Sequence, residues 1–141
     1  MLGSNGSVLD IWKRQKENNE PLTVTNPQMS RFFMTIDQAI DLVLFALENG
    51  TNKDLWVYNN KSCTIKELAD CISENQIEVG LRCIEKNDEA LLLINELNHS
   101  LLYDNLYYRI NEKNPLLLHY KPFTSDSAER FRKEELIELI K

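Results

Sequence analysis

The sequence predicts a mixed α/β domain, and three observations carry that reading. Two Thr-led capping boxes, Thr35-Ile36-Asp37-Gln38 and Thr64-Ile65-Lys66-Glu67, each open a run with helical apolar spacing. Short runs of strand character stand between and around them: Leu22-Thr23-Val24-Thr25, Leu55-Trp56-Val57-Tyr58 and Ile77-Glu78-Val79-Gly80-Leu81. Strands and helices do not alternate regularly enough for a complete doubly wound domain.

Taken in order, Val8, Leu9, Ile11 and Trp12 give an apolar face to a helix over 8–18, with Ser7 as its N-cap and Asn18-Asn19 before Pro21 as its stop. Leu22 to Thr25 is a strand bounded by Pro21 and by Asn26-Pro27. Arg31-Phe32-Phe33-Met34 is a second extended run. The helix it leads into, 36–49, carries Ile36, Ala39, Ile40, Val43, Leu44 and Leu47 at helical spacing and ends at Gly50, a residue suited to a left-handed C′ position. Its length and caps make it the expected structural centre, with Ile40, Val43, Leu44 and Leu47 buried. A strand at 55–58, an Asn59-Asn60 turn, a helix from Thr64 to about Ser73 and a strand at 77–81 follow. Past Arg82 the pattern is looser: 88–97 reads as helix, 106–110 as extended, Asn114-Pro115 as a turn. Glu134 to Ile140 reads as a closing helix with Leu136, Ile137, Leu139 and Ile140 on one side and Ser125 or Ser127 as upstream caps.

The chain has 141 residues, enough for one domain in which roughly two-thirds of the unfolded chain's surface is buried. Sixteen Lys and Arg against 22 Asp and Glu leave a net charge of −6, and no basic run is long enough to neutralise a nucleic-acid backbone, so no nucleic-acid partner is expected. Cys63, Cys71 and Cys83 are odd in number and lack metal-ligand spacing, which argues against a disulfide framework or a zinc site and for a reducing compartment. Apolar runs such as Leu91-Leu92-Leu93-Ile94 fall far short of the roughly 18 residues of a membrane span, so no membrane partner is expected either. The first ten residues have neither the basic nor the apolar region of a secretory leader. The expected location is the cytoplasm.

The usual signatures of chemistry are missing. No Gly-x-Gly-x-x-Gly follows a strand, no P-loop is present, and neither His99 nor His119 has a neighbour at ligand spacing. Three stretches nevertheless stand out. Leu2-Gly3-Ser4-Asn5-Gly6-Ser7-Val8 is a Gly/Ser loop entering a helix N-terminus, where unpaired N–H groups suit an anion, although such loops are common as plain caps. Arg31 precedes a capped helix, and Arg82 follows a strand with Glu85-Lys86 just beyond. The forked guanidinium matches phosphate oxygens; either Arg alone is more often a surface ion-pair partner than a ligand-binding residue.

Together these stretches resemble, in order and spacing, the C-terminal part of the capsular-polysaccharide and flagellin-glycosylation type of UDP-N-acetylglucosamine 4,6-dehydratases, within the extended short-chain dehydrogenase/reductase superfamily. The match runs through residues 2–8, then Pro21 to Ile36, sixteen consecutive residues that match in kind, then Gly80-Leu81-Arg82 with Glu85, Lys86 and Glu89, and closes loosely over Thr124 to Phe131. The resemblance implies an α/β fold that is the substrate-binding C-terminal half of such an enzyme, without the Rossmann half that holds NAD(P). No cofactor-binding residue and no catalytic residue is expected in this chain. Tyr103, Tyr107 and Tyr108 lie too late to be the family's catalytic tyrosine. Residues 1–141 are thus expected to form one substrate-binding domain, a truncated or split piece of a longer enzyme.

By resemblance, Ser4, Gly6 and Ser7 belong to the turn that passes the nucleotide sugar, and Leu22, Thr23 and Thr25 to the strand whose backbone faces the uracil. Arg31 and Arg82 are the implied diphosphate clamp, and Glu85 the implied acceptor for ribose hydroxyls. The family has Arg where this chain has Asn5, and Pro-Gly where it has Cys83-Ile84, which alters the turn that aims Arg82 and Glu85. The implied partners are a UDP-sugar and a Rossmann-domain chain or a second copy of this one. The competing readings are a non-catalytic α/β interaction module and a degenerate gene remnant.

Overall fold

A computed structural model describes residues 7–81, 83 and 85–140. The class is mixed α/β, as the sequence predicts, with strands gathered into small separate sheets. Helix α1 (Val8–Glu17) buries Leu9 and Trp12. Its apolar face packs on β1 (Leu22–Val24), whose Leu22 and Val24 are buried and alternate with half-buried Thr23. The Trp12 indole donates to the Thr23 carbonyl at 2.8 Å, and the Gln15 amide oxygen accepts from the Thr23 N–H at 3.1 Å, so helix and strand are joined by polar as well as apolar contact. Strand β2 (Ser30–Phe32) pairs antiparallel with β4 (Ser62–Thr64), Arg31 opposite Cys63. Helix α3 (Ile65–Asp70) buries Ile65, Leu68 and Ala69 under the same core, and β5 (Gln76–Glu78) pairs parallel with β1. With Met29, Cys63 and Leu136, these residues form the hydrophobic core.

Both capping boxes form. The Thr35 hydroxyl accepts from the Gln38 N–H while the Gln38 side chain accepts from the Thr35 N–H, and Thr64 and Glu67 do the same. Ser7 occupies the N-cap of α1, but its hydroxyl makes no capping bond. Gly50 ends α2 (Ile36–Asn49) at φ −75°, ψ 147°, an extended conformation rather than the left-handed one expected.

The largest departure concerns α2. It exists over the predicted range, yet none of its residues is buried: Ile40 is 50% exposed, Val43 58%, Leu44 53% and Leu47 77%. The helix is held by its opposite side. Phe45 stacks on Tyr107 with ring centroids 4.3 Å apart and meets the edge of Trp56 at 5.2 Å, which fixes α2 on the sheet of β3 (Leu55–Tyr58), β8 (Tyr107–Ile110) and β7 (Ser100–Tyr103). The aliphatic stripe therefore faces outward, because the aromatic cluster selects the other face. The structural centre is instead the α1/β1/α3 core.

Between the last strands the sequence expectation also fails in detail. Residues 88–97 are not one helix but β6 (Ala90–Leu92) followed by α4 (Ile94–Asn98), and β6 pairs with β9 (Phe123–Thr124). The β7–β8 hairpin turns at Asp104 and Asn105, both with positive φ (50° and 58°), and the Leu106 N–H closes the turn on the Tyr103 carbonyl at 2.9 Å. Helix α5 (Lys133–Leu139) is capped from Arg132, not from Ser125 or Ser127: the Glu135 carboxylate accepts the Arg132 N–H at 2.7 Å.

Candidate functional site

Arg31 lies in the centre of β2, and its side chain, 21% exposed, crosses to the 86–89 segment. Nη1 donates to the Ser30 carbonyl at 2.7 Å and to the Asn87 carbonyl at 2.9 Å, and Nη2 donates to the Lys86 carbonyl at 2.7 Å. Nε lies 3.7 Å from a Glu89 carboxylate oxygen. The backbone adds to this: the Ser30 N–H donates to the Asn87 carbonyl at 2.9 Å, and the Asn26 side chain donates to the Asn87 side-chain oxygen at 3.0 Å while its own oxygen accepts the Gln28 N–H at 2.9 Å. Asn26 is set by the turn that Pro27 directs, so the Asn26-Pro27 signal in the sequence has a structural use.

Arg31 thus brings the segment that begins at half-buried Glu85 against β2. Gly80 prepares the approach. It has φ +81°, and a Cβ there would meet nothing within 4 Å, so glycine is favoured at this point by backbone conformation rather than by crowding. Arg82, Ser4 and Gly6 lie outside the described residues, so the expected pairing of Arg31 with Arg82 in one cleft stays an expectation.

The remaining expected residues are placed as follows. Leu22 is fully buried, and its N–H donates to the Asn75 carbonyl at 2.8 Å. Thr23 has both backbone groups engaged within the chain, by Gln15 and Trp12. Thr25 is half-buried, with its hydroxyl 4.0 Å from the Met29 sulfur. Ser7 is half-buried, and its hydroxyl has no partner among the described residues. Ser30 and Ser125 fall within the matched stretches, but the sequence reading does not identify them, with Asn87, as the residues that fasten the 86–89 segment.

A second feature adjoins Lys61, just before β4. An open cavity of about 510 Å³ is lined by Phe33, Tyr58, Asn60, Lys61, Glu129 and Glu135, among others. Lys61 bridges Glu129 and Glu135 at 2.9 Å each, and these hydrogen bonds raise its pKa. The Arg132 N–H and Lys61 together lower Glu135 from its ordinary 4.5 to about 2. Arg31 is absent from the lining of this cavity, so the two features are separate. Among the described residues, no cluster of His, Cys, Asp and Glu is arranged to hold a metal ion, and no helix is long and apolar enough to cross a membrane.

Comparison with known proteins adds the family context. A family described as "Polysaccharide biosynthesis protein" matches residues 1–111. A UDP-glucose 4-epimerase of Rickettsia rickettsii (strain Sheila Smith) is 32% identical over 163 residues, which takes in 99% of this chain and 46% of that protein. The UDP-glucose 4-epimerase of Rickettsia bellii (strain OSU 85-389) is 33% identical over 161 residues, with the same shares covered. Among solved structures, the X-ray structure of Pen from Bacillus thuringiensis superposes with a TM-score of 0.81 at 27% identity, over 98% of this chain and 45% of that one. The chain spans about half the length of the relatives it matches.

Proposed function

Because this chain belongs to the family of polysaccharide biosynthesis proteins, we propose that residues 1–141 are the UDP-sugar-binding C-terminal domain of a nucleotide-sugar epimerase or dehydratase. The sugar nucleotide proposed is UDP-N-acetylglucosamine and the site of action the cytoplasm. Its relatives carry the name UDP-glucose 4-epimerase, so the nucleotide is the better supported part and the N-acetyl group the finer step.

The observation that carries the reading is Arg31 fastening the 86–89 segment to β2. This contact keeps the β2 guanidinium close to the segment that follows Glu85, and Arg82 precedes Glu85 by three residues in the sequence. A chain of net charge −6 repels a diphosphate on average, so binding depends on such local positive potential. In this proposal Arg31 and Arg82 hold the diphosphate and Glu85 accepts from the ribose. Ser4, Gly6 and Ser7 pass the sugar, and half-buried Thr25 lines the uracil, since Leu22 is fully buried and the backbone of Thr23 is engaged by Gln15 and Trp12.

This chain's own residues do not fit NAD(P). Its four glycines, Gly3, Gly6, Gly50 and Gly80, make no Gly-x-Gly-x-x-Gly turn, and no Tyr stands four residues before a Lys. Hydride chemistry in this account belongs to a Rossmann segment supplied from outside these residues, as does turnover. The outward face of α2 is where such a segment, or a second copy, is proposed to pack. A helix apolar on both sides belongs inside a larger body, and Ile36, Ile40, Val43, Leu44 and Leu47 are each at least half exposed. That face also favours the second reading, an interaction module without sugar-nucleotide affinity.

Calorimetric titration with UDP-N-acetylglucosamine separates the two. The proposal expects binding that Arg31→Ala or Arg82→Ala abolishes and that Arg31→Lys weakens, because Lys keeps the charge and loses the fork. Self-association in sedimentation with no UDP affinity supports the module instead.

A further inference from the structure

Ser125 is fully buried and sits at the centre of a one-directional hydrogen-bond chain. Its backbone and side chain both hold Glu89: the Ser125 N–H donates to the Glu89 carbonyl at 2.8 Å, and the Glu89 N–H donates to the Ser125 hydroxyl at 2.9 Å. The next link is Ser30, also buried, whose hydroxyl oxygen lies 2.6 Å from that of Ser125 and 2.6 Å from an Asp88 carboxylate oxygen.

A hydroxyl has one proton to give, and a carboxylate only accepts. The Ser30 proton therefore goes to Asp88, in a short charge-assisted bond. Ser125 must then donate to Ser30, with the Ser30 carbonyl as a longer second acceptor at 3.1 Å. The order is Glu89 N–H to Ser125 to Ser30 to Asp88, which returns the chain to the residue next to its start. The Ser125 carbonyl is fixed in turn by the Ser62 hydroxyl at 2.5 Å, and Ser62 accepts from Arg130 at 3.2 Å.

We infer that Ser125 is a positioning residue: from a segment remote in sequence, it sets the 86–89 segment against β2 from the side opposite to Arg31. The inference rests on the sugar-nucleotide reading for its functional meaning, since the positioned segment adjoins Glu85 and Arg82. Two independent grips, Arg31 on the carbonyls of residues 86 and 87 and Ser125 on residue 89, fix both ends of four residues. The C-terminal strand β9 and the turn after it are thereby part of the site's construction without touching ligand.

The test compares Ser125→Ala with Ser100→Ala in the full chain. Site-resolved amide exchange reports the segment, and UDP titration reports the site. Ser125→Ala is expected to speed exchange of the Ser30 N–H, whose acceptor is the Asn87 carbonyl, while amides of α1 and α3 keep their protection. It is also expected to weaken UDP binding by roughly fivefold, the factor that one hydrogen bond of ordinary net strength supplies. Ser100→Ala, which removes a buried hydroxyl that donates to the Leu97 carbonyl and has no part in the chain from Glu89 to Asp88, is expected to change neither. Unchanged exchange at Ser30 in Ser125→Ala, or equal effects of the two substitutions, overturns the inference. If Ser125→Ala does not fold, Asp88→Ala removes the terminal acceptor from a half-buried position and is read the same way. A parent chain with no UDP affinity refutes the sugar-nucleotide reading alone, and the exchange data still decide whether Ser125 sets the segment.

Discussion

Replacing Val43 by Asp distinguishes the observed packing of α2 from the packing its sequence suggests. If Val43 were in the core, as the aliphatic spacing implies, the substitution would bury an unpaired charge and cost several kcal/mol. In the structure Val43 is 58% exposed in the middle of a 14-residue helix. Its neighbours one turn away are Ala39, Ile40, Ala46 and Leu47, so a new carboxylate meets no like charge at those positions. Val and Asp have similar helix propensities, and position 43 is too far from either end for the helix dipole to matter. The expected change in unfolding free energy is within about 0.5 kcal/mol, the usual range for a surface substitution away from special features. Urea unfolding at several protein concentrations, followed by circular dichroism, measures it. A loss above about 2 kcal/mol at low concentration would place this face in a core and refute the outward orientation.

Other consequences follow from the core and the titrating groups. Leu68→Ala, at a position 1% exposed in the α1/β1/α3 core, is expected to lower stability by about 2–5 kcal/mol in the same assay. Among the cysteines, exposed Cys83 is expected to react rapidly with a thiol reagent. Buried Cys63, whose pKa burial pushes up to about 12, is expected to react only on unfolding, as timed labelling with mass spectrometry reads out. Glu135 is lowered from 4.5 to about 2 by the Arg132 N–H and Lys61. The stability it contributes is therefore complete above its ordinary value and is lost as pH falls from 4.5 toward 2. Glu135→Gln is expected to flatten that part of the pH dependence of the urea midpoint; an unchanged slope would contradict the assignment.

Local chemistry made much of the fold legible. The Thr35 and Thr64 capping boxes announced their helices because both halves of each box lie within four residues. β1, β3 and β5 were marked by their branched and aromatic residues. What was not legible depended on distant partners. Nothing local says that Phe45, rather than the denser aliphatic stripe, faces inward, because that choice is made by Trp56 and Tyr107 on other strands. β4, β6 and β9 are too short to show a period and exist through pairing with remote segments. The β7–β8 hairpin did leave a signal, the Asp104-Asn105 pair, whose side chains tolerate the positive φ of a tight turn. The match over residues 21–36 singles out Arg31 but not its bonds to the carbonyls of Lys86 and Asn87. The grip of Ser125 on the 86–89 segment was not legible either, since its two partners in the hydroxyl chain lie 95 and 36 residues away.

The proposal puts a UDP-sugar beside β2, where the segment that follows Glu85 is fastened to it. Titration of UDP into the isotopically labelled chain, followed through its backbone amide resonances, tests it most directly. Saturable shifts are expected at Arg31, at residues 80–89 and at residues 4–7, with the amides around Lys61 and Glu135 unmoved. Shifts confined to the Lys61 cavity, or none at millimolar UDP, would contradict it.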